Sequence, residues 1–108
     1  MKNLTYQLVD ASAVYKGSKS FAWGNGESVK PMVAVTNDTA IPVLCVSGQD
    51  AMIFHYEDSV QIPADLELQK YLIEHCAVMA RINAQEFAEA MELQHASTML
   101  NQRTELQH

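Results

Sequence analysis

The chain has 108 residues, a hydrophobic fraction of 48% and a formal net charge of −6, from 13 acidic and 7 basic residues. This length suits a single domain, residues 1–108, with one core, and the acidic balance disfavours a phosphate-binding surface for nucleic acid. No apolar stretch approaches the roughly 20 residues of a membrane span, and residues 1–9 lack the apolar region of a secretory signal. We therefore expect a soluble, cytoplasmic protein.

The first part of the chain, residues 1–62, consists of short apolar runs separated by turn residues, which is typical of an antiparallel sheet. Leu4, Tyr6 and Leu8 occupy alternate positions and predict a first, half-buried strand. Pro31 has no N–H to donate to a neighbouring strand, so the next strand is expected to begin there or to place its proline end on a sheet edge. These runs predict a meander of about four to six strands over residues 4–56.

Two hairpins are predicted from their turn residues. Asn25-Gly26 accepts the backbone conformation of a type I′ turn and predicts a tight hairpin. Farther along, Gly48-Gln49-Asp50 separates two apolar runs, and a three-residue loop there would pair Ser47 with Ala51. We prefer this register because a four-residue loop would scramble the apolar face that it creates, which comprises Leu44, Val46, Met52, Phe54 and Tyr56.

The hydrophobic period changes at Pro63, and from Asp65 onward the chain contains no proline or glycine. A proline near the start and an aspartate able to cap the first turn predict that residues 63–108 are helical. On a helical wheel, residues 66–82 have one narrow polar strip, formed by Glu67, Lys70, Glu74 and Arg81, and are otherwise almost wholly apolar. A helix apolar over so wide an arc must be covered on more than one side.

Asn83 followed by Glu86 resembles a capping box. It predicts two helices, at about 65–82 and 84–100, with one long kinked helix as the open alternative. In the second helix an amphipathic stripe recurs every four residues and comprises Phe87, Met91, His95 and Met99. The predicted fold is therefore α+β, a β-rich part (1–62) followed by a helical part (63–108) with two helices packed on one face of the sheet.

The residues that could carry chemistry do not form a recognisable motif. Two cysteines, Cys45 and Cys76, are too few for a disulfide framework and lie in apolar runs, so we expect reduced core thiols. Cys45 and His55 would be diagonal neighbours in the preferred register, but no glycine loop for an oxyanion accompanies them. His75 and Cys76 adjoin on a helix and point about 100° apart, which is poor geometry for one metal ion. No catalytic residue, metal or cofactor is predicted.

The best functional interpretation is a non-enzymatic protein-interaction module, an accessory or inhibitory protein that binds a larger protein or complex. Self-association is also expected, as a homodimer formed through the helices. The predicted interface is the stripe of Phe87, Met91, His95 and Met99. Trp23 and Phe21, near the first hairpin, fit either core packing or the anchoring of a partner.

Two alternatives stay open at this point. One is a small-molecule-binding protein or cysteine-dependent enzyme, with a pocket between sheet and helices lined by Cys45, His55 and His75. The other is an acidic mimic that blocks a nucleic-acid-binding protein, which predicts binding that weakens steeply with added salt.

Overall fold

A computed structural model describes residues 5–106, apart from the side chains of Asn25 and of residues 98–106. The strands are β1 (Gln7–Asp10), β2 (Phe21–Ala22), β3 (Ser28–Val35), β4 (Thr39–Val46), β5 (Ala51–Phe54) and β6 (Val60–Gln61). They form one antiparallel sheet, and a single helix, α1 (Leu66–Leu106), follows it. Short 3-10 turns cover Ala11–Ala13, Gly24–Gly26 and Tyr56–Asp58. The α+β class is confirmed, while Leu4 of the first predicted strand lies outside the described residues.

The prediction of two helices is wrong, because α1 runs for 41 residues without a break. Asn83 does not cap a second helix; its Nδ2 donates to the Asp58 Oδ2 at 3.1 Å and links α1 to the loop before β6. With no proline or glycine nearby, nothing interrupts the helical backbone at this point. The start of α1 is as expected, since the Asp65 Oδ1 accepts from the backbone N–H groups of Glu67 and Leu68 at 2.9 and 3.1 Å.

Both outer edges of the sheet consist of two short strands rather than one long strand. β3 and β4 pair along their length at the centre. The outer side of β3 carries β1 and β2, and the outer side of β4 carries β5 and β6. At each edge, the two short strands are connected by a loop that contains a 3-10 turn.

The two prolines of the central strands explain where these edges break. β1 ends opposite Met32, next to Pro31, and β5 ends opposite Val43, next to Pro42. The Pro42 carbonyl accepts from the His55 N–H at 2.9 Å, so the nitrogen of Pro42 also faces the outer edge, where it cannot support a continuous ladder. Pro31 pairs with Leu44, two positions along the ladder from the pair of Val33 with Pro42. Because the hydrogen-bonding direction repeats every two residues, the nitrogen of Pro31 faces the outer side of β3, at the break between β1 and β2. The expected strand start at Pro31 is wrong, since β3 begins at Ser28.

The hairpin between β4 and β5 corrects the preferred register. Val46 pairs with Ala51, so the loop has four residues, 47–50, with positive φ at Gly48 (90°) and Asp50 (47°). Ser47 lies in this loop, and its N–H donates to the Ser28 carbonyl at 2.8 Å. The shift of one residue moves Met52 and Phe54 to the opposite face of the sheet from Leu44 and Val46.

The first hairpin is present where it was predicted but has a different turn. Phe21 pairs with Val29, and the Trp23 N–H donates to the Glu27 carbonyl at 3.1 Å around a 3-10 turn. The positive φ, 71°, falls on Gly26. The type I′ prediction is therefore wrong, because the loop is longer than the two residues such a turn allows.

Helix α1 packs on one face of the sheet through small side chains. They are Cys76, Ala77, Ala80, Ala84 and Ala88, each no more than 6% exposed. Cys76 and Ala77 pack with Val33 and Ala40, whereas Ala84 and Ala88 pack with Val29 and Leu44 at the other end of β3 and β4. Small side chains allow the helix to lie close to the sheet, so this contact is part of a tightly filled core.

Candidate interaction surface on helix α1

The predicted interface residues lie mostly in the core of the monomer. Phe87, Met91 and Phe21 pack against the buried cluster that includes Trp23, which is 8% exposed. The rings of Trp23 and Phe87 meet edge to face, with centroids 5.6 Å apart. His95 lies so close to Gly24 that a Cβ on this glycine would approach the His95 ring to 2.8 Å. A partner contact by these residues stays a prediction, and the side chain of Met99 lies outside the described residues.

The three residues of the alternative pocket, Cys45, His55 and His75, do not converge. Cys45 lies on the face of the sheet away from α1, with Met32 and Phe54. His75 is exposed on α1, and His55 follows β5 at the sheet edge. The described structure therefore offers no pocket between sheet and helix that these three side chains share.

Both thiols are in surroundings that disfavour the reactive thiolate. Burial raises the pKa of the Cys45 thiol, and burial raises the pKa of Cys76 to about 11. The Cys76 Sγ also donates to the Ala40 carbonyl oxygen at 3.3 Å. Because the thiolate is the nucleophile, both cysteines are better suited to packing than to catalysis.

A histidine and two carboxylates gather on the turn after β5. The His55 Nδ1 lies 3.2 Å from the Glu57 Oε1, and the potential ligand atoms of His55, Glu57 and Asp58 all lie within 4.8 Å of one another. Alternation along a strand would put His55 and Glu57 on one face and Asp58 on the other, but the 3-10 turn brings all three together. Atoms of this kind can bind a divalent cation, although Glu57 is 70% exposed and Asp58 already bonds Asn83. A structural role explains these contacts, since they connect the sheet edge to α1.

The face of the sheet away from α1 is apolar but is closed by its own side chains. Ala34, Ile41 and Val43 are at most 3% exposed, with Leu8, Met32, Cys45 and Phe54 packed around them. Aromatic rings extend this cover, since Phe54 contacts Tyr6 and Tyr56 with centroids 5.4 and 5.7 Å apart. The centre of this face therefore does not depend on a second layer for its burial.

Met52 and Tyr56 are exposed at the margin of that sheet face, and the outer face of α1 likewise exposes large apolar side chains. Tyr71 is 67% exposed, Leu68 52% and Ile82 37%. Steps of three and four residues place these residues on one side of the helix, opposite the small residues that contact the sheet. We define the outer stripe as Leu68, Tyr71, Leu72, His75, Val78, Met79 and Ile82. A shallow hollow of about 180 Å³ lies within it, between Tyr71 and Val78 and beside His75.

The outer stripe is the part of the wide apolar arc of residues 66–82 that the sheet does not cover. The sequence predicts that this arc needs more than one cover, and the sheet covers only the side that carries Cys76 and Ala80. Beyond Ile82 the same side of the helix carries exposed Glu86 and Glu89 and then Leu93, which is 73% exposed. The two glutamates therefore separate the outer stripe from Leu93.

Fold and surface together define a small α+β domain in which one helix presents an uncovered apolar stripe. Comparisons with protein-family models, with curated proteins and with solved structures found no match for this chain. Within residues 5–106, no helix is both long enough and apolar enough to cross a membrane.

Proposed function

We propose that this protein is a non-enzymatic interaction module that binds another protein chain through the outer stripe of α1. The observation that carries the proposal is the exposure of Tyr71 and Leu68 on a helix whose other side is fully packed. Contiguous apolar side chains on one face of a helix are the common means by which a helix binds a protein partner.

The size of the exposed side chains supports this role energetically. With 67% of Tyr71 exposed, covering its ring would remove on the order of 150 Å² from water, a contribution of about 3–4 kcal/mol at about 25 cal/mol per Å². Tyrosine is also enriched among the residues that dominate binding energy at interfaces. Tyr71 is therefore the expected centre of the contact.

The small size of the chain and its net charge of −6 fit an accessory or inhibitory protein that acts on a larger protein or complex. Cys45, His55 and His75 lie on different parts of the described structure, so they do not support the pocket of the enzyme alternative. Apolar residues dominate the outer stripe, so we expect binding to depend little on salt, whereas an acidic mimic requires a steep salt dependence.

The proposal is tested by affinity capture of partner proteins from the native cellular context, followed by quantitative mass spectrometry. Three full-length proteins are compared: wild type, Tyr71→Glu and Met52→Glu. Met52 is 41% exposed on the opposite side of the molecule, so its substitution matches the change in charge and in exposed apolar surface.

We expect a partner that is retained by wild type and by Met52→Glu and reduced at least about tenfold by Tyr71→Glu, which corresponds to about 1.4 kcal/mol or more. Circular dichroism and melting curves should be nearly the same for all three proteins, because both positions are exposed. Equal retention by all three would contradict the proposal, and loss of the partner at 0.5 M salt would favour the acidic mimic instead.

A further inference from the structure

We infer that the outer stripe of α1 binds a second copy of this chain, with the two helices antiparallel and the two-fold axis beside His75. The inference rests on the proposed function, because it names the partner of the same surface. It follows from the order of residues along the stripe, their exposure and the hollow beside His75.

The positions of the stripe are symmetric about His75, and the residue types on its two sides are similar. In a two-fold contact, a residue that faces a second residue is matched by the reverse pair, so the surface must be complementary to itself. Antiparallel pairing about His75 sets Leu68 opposite Ile82, Tyr71 opposite Met79, and Leu72 opposite Val78. Every pair apart from the central histidines then joins two large side chains that are apolar or aromatic.

The hollow beside His75 lies at the level of the proposed axis. It is lined by Tyr71, Glu74, His75 and Val78. Antiparallel pairing brings the hollows of the two copies face to face, so that the His75 ring of each copy can enter the hollow of the other. This arrangement would bury the centre of the contact, which is where interface residues contribute most to binding.

The charges beside the stripe form both attractive and repulsive pairs in this register. Arg81 of one copy comes within two residues, about 3 Å along the axis, of the level of Glu67 of the other copy. Glu74 of each copy lies near the axis on the same side, which opposes association slightly at an exposed rim. Lys70 faces the level of Ala80, one residue from Arg81 of the other copy, so this like charge offsets the attraction between Arg81 and Glu67.

The area available predicts a weak dimer. The partly exposed side chains of the stripe present on the order of 500 Å² per copy, or about 1,000 Å² for both, which is near the lower limit for a specific interface. Beyond this segment, Glu86 and Glu89 interrupt the apolar side, and Leu93, which is 73% exposed, lies outside the contact. We therefore expect a dissociation constant in the micromolar range.

The test measures self-association of the purified full-length chain by sedimentation velocity between about 5 and 500 µM, which brackets that constant. The proteins are wild type, His75→Glu, His75→Lys, an equimolar mixture of these two variants, and Met52→Glu as the control. His75 is exposed, so both substitutions should leave the melting temperature of the monomer nearly unchanged.

Wild type and the control should dimerise, whereas each His75 variant alone should lose at least about tenfold in association, because two like charges meet at the axis. The mixture should recover the dimer, since glutamate then faces lysine. That recovery requires residue 75 to lie against residue 75 of the other copy.

Monomeric wild type over the whole range would overturn the inference, as would a dimer that is insensitive to both substitutions or a mixture that does not recover. These results would not decide the proposed function, which is measured separately by the effect of Tyr71→Glu on capture of a partner. Loss of that capture together with a monomeric wild type would assign the stripe to a different protein.

Discussion

Replacing Ala84 with leucine tests how closely α1 packs on the sheet. Ala84 is 0% exposed and lies in the cluster formed with Trp23, Val29 and Leu44. Leucine adds three carbon atoms at a position with no free space, so the helix must move away from the sheet or the neighbouring side chains must leave their preferred rotamers. Overpacking of this kind typically costs about 1–3 kcal/mol.

For a domain of this size, each kcal/mol lowers the melting temperature by about 4–8 °C, so we expect a decrease of roughly 4–24 °C. The assay is thermal unfolding followed by circular dichroism. Ala90→Leu is the matched control, because Ala90 is exposed on the same helix and both residues are good helix formers. The control should stay within about 0.5 kcal/mol of wild type. Equal melting temperatures for both variants would refute the close contact between α1 and the sheet.

Two further predictions concern the core. Phe87→Ala should lower the free energy of unfolding in chemical denaturation by about 2–4 kcal/mol and leave the apparent mass in light scattering unchanged. A lower apparent mass with unchanged stability would instead support the predicted interface around Phe87 and Met91. At pH 8, a thiol reagent should modify Cys45 slowly and Cys76 only after unfolding. Because the pKa of Cys76 is raised from 9.0 to about 11, its contribution to stability is present below pH 9.0 and is lost as the pH rises toward 11. Rapid modification of Cys76 in the folded protein would contradict this placement.

Much of the fold could be predicted because it depends on neighbouring residues in the chain. The alternating runs before Pro63 specify strands, and the absence of proline and glycine after it specifies helix. The cap at Asp65 is equally local, since its carboxylate bonds the N–H groups of the next turn. Even the first hairpin was correctly located from Asn25-Gly26, although its turn was not.

The errors arose where two local signals compete and a distant contact decides. Asn83 is a good capping residue, but Asp58 binds its amide and the helix continues. The loop after β4 could have three or four residues, and the pairing of Val46 with Ala51 makes it four. A shift of one residue reverses the face of every side chain in β5, so the composition of the sheet face away from α1 could not be predicted.

The sequence by itself determined that residues 66–82 form a helix with more apolar surface than one sheet can cover. Only the tertiary structure decided which side the sheet covers: the small side chains of Cys76, Ala80 and Ala84 allow the closest approach, so they face β3 and β4. Phe87 and Met91 are thereby packed inside, and Tyr71 and Leu68 remain outside. The hydrophobic period of a sequence shows that one face of a helix is apolar. What packs against this face depends on contacts between residues far apart in the chain.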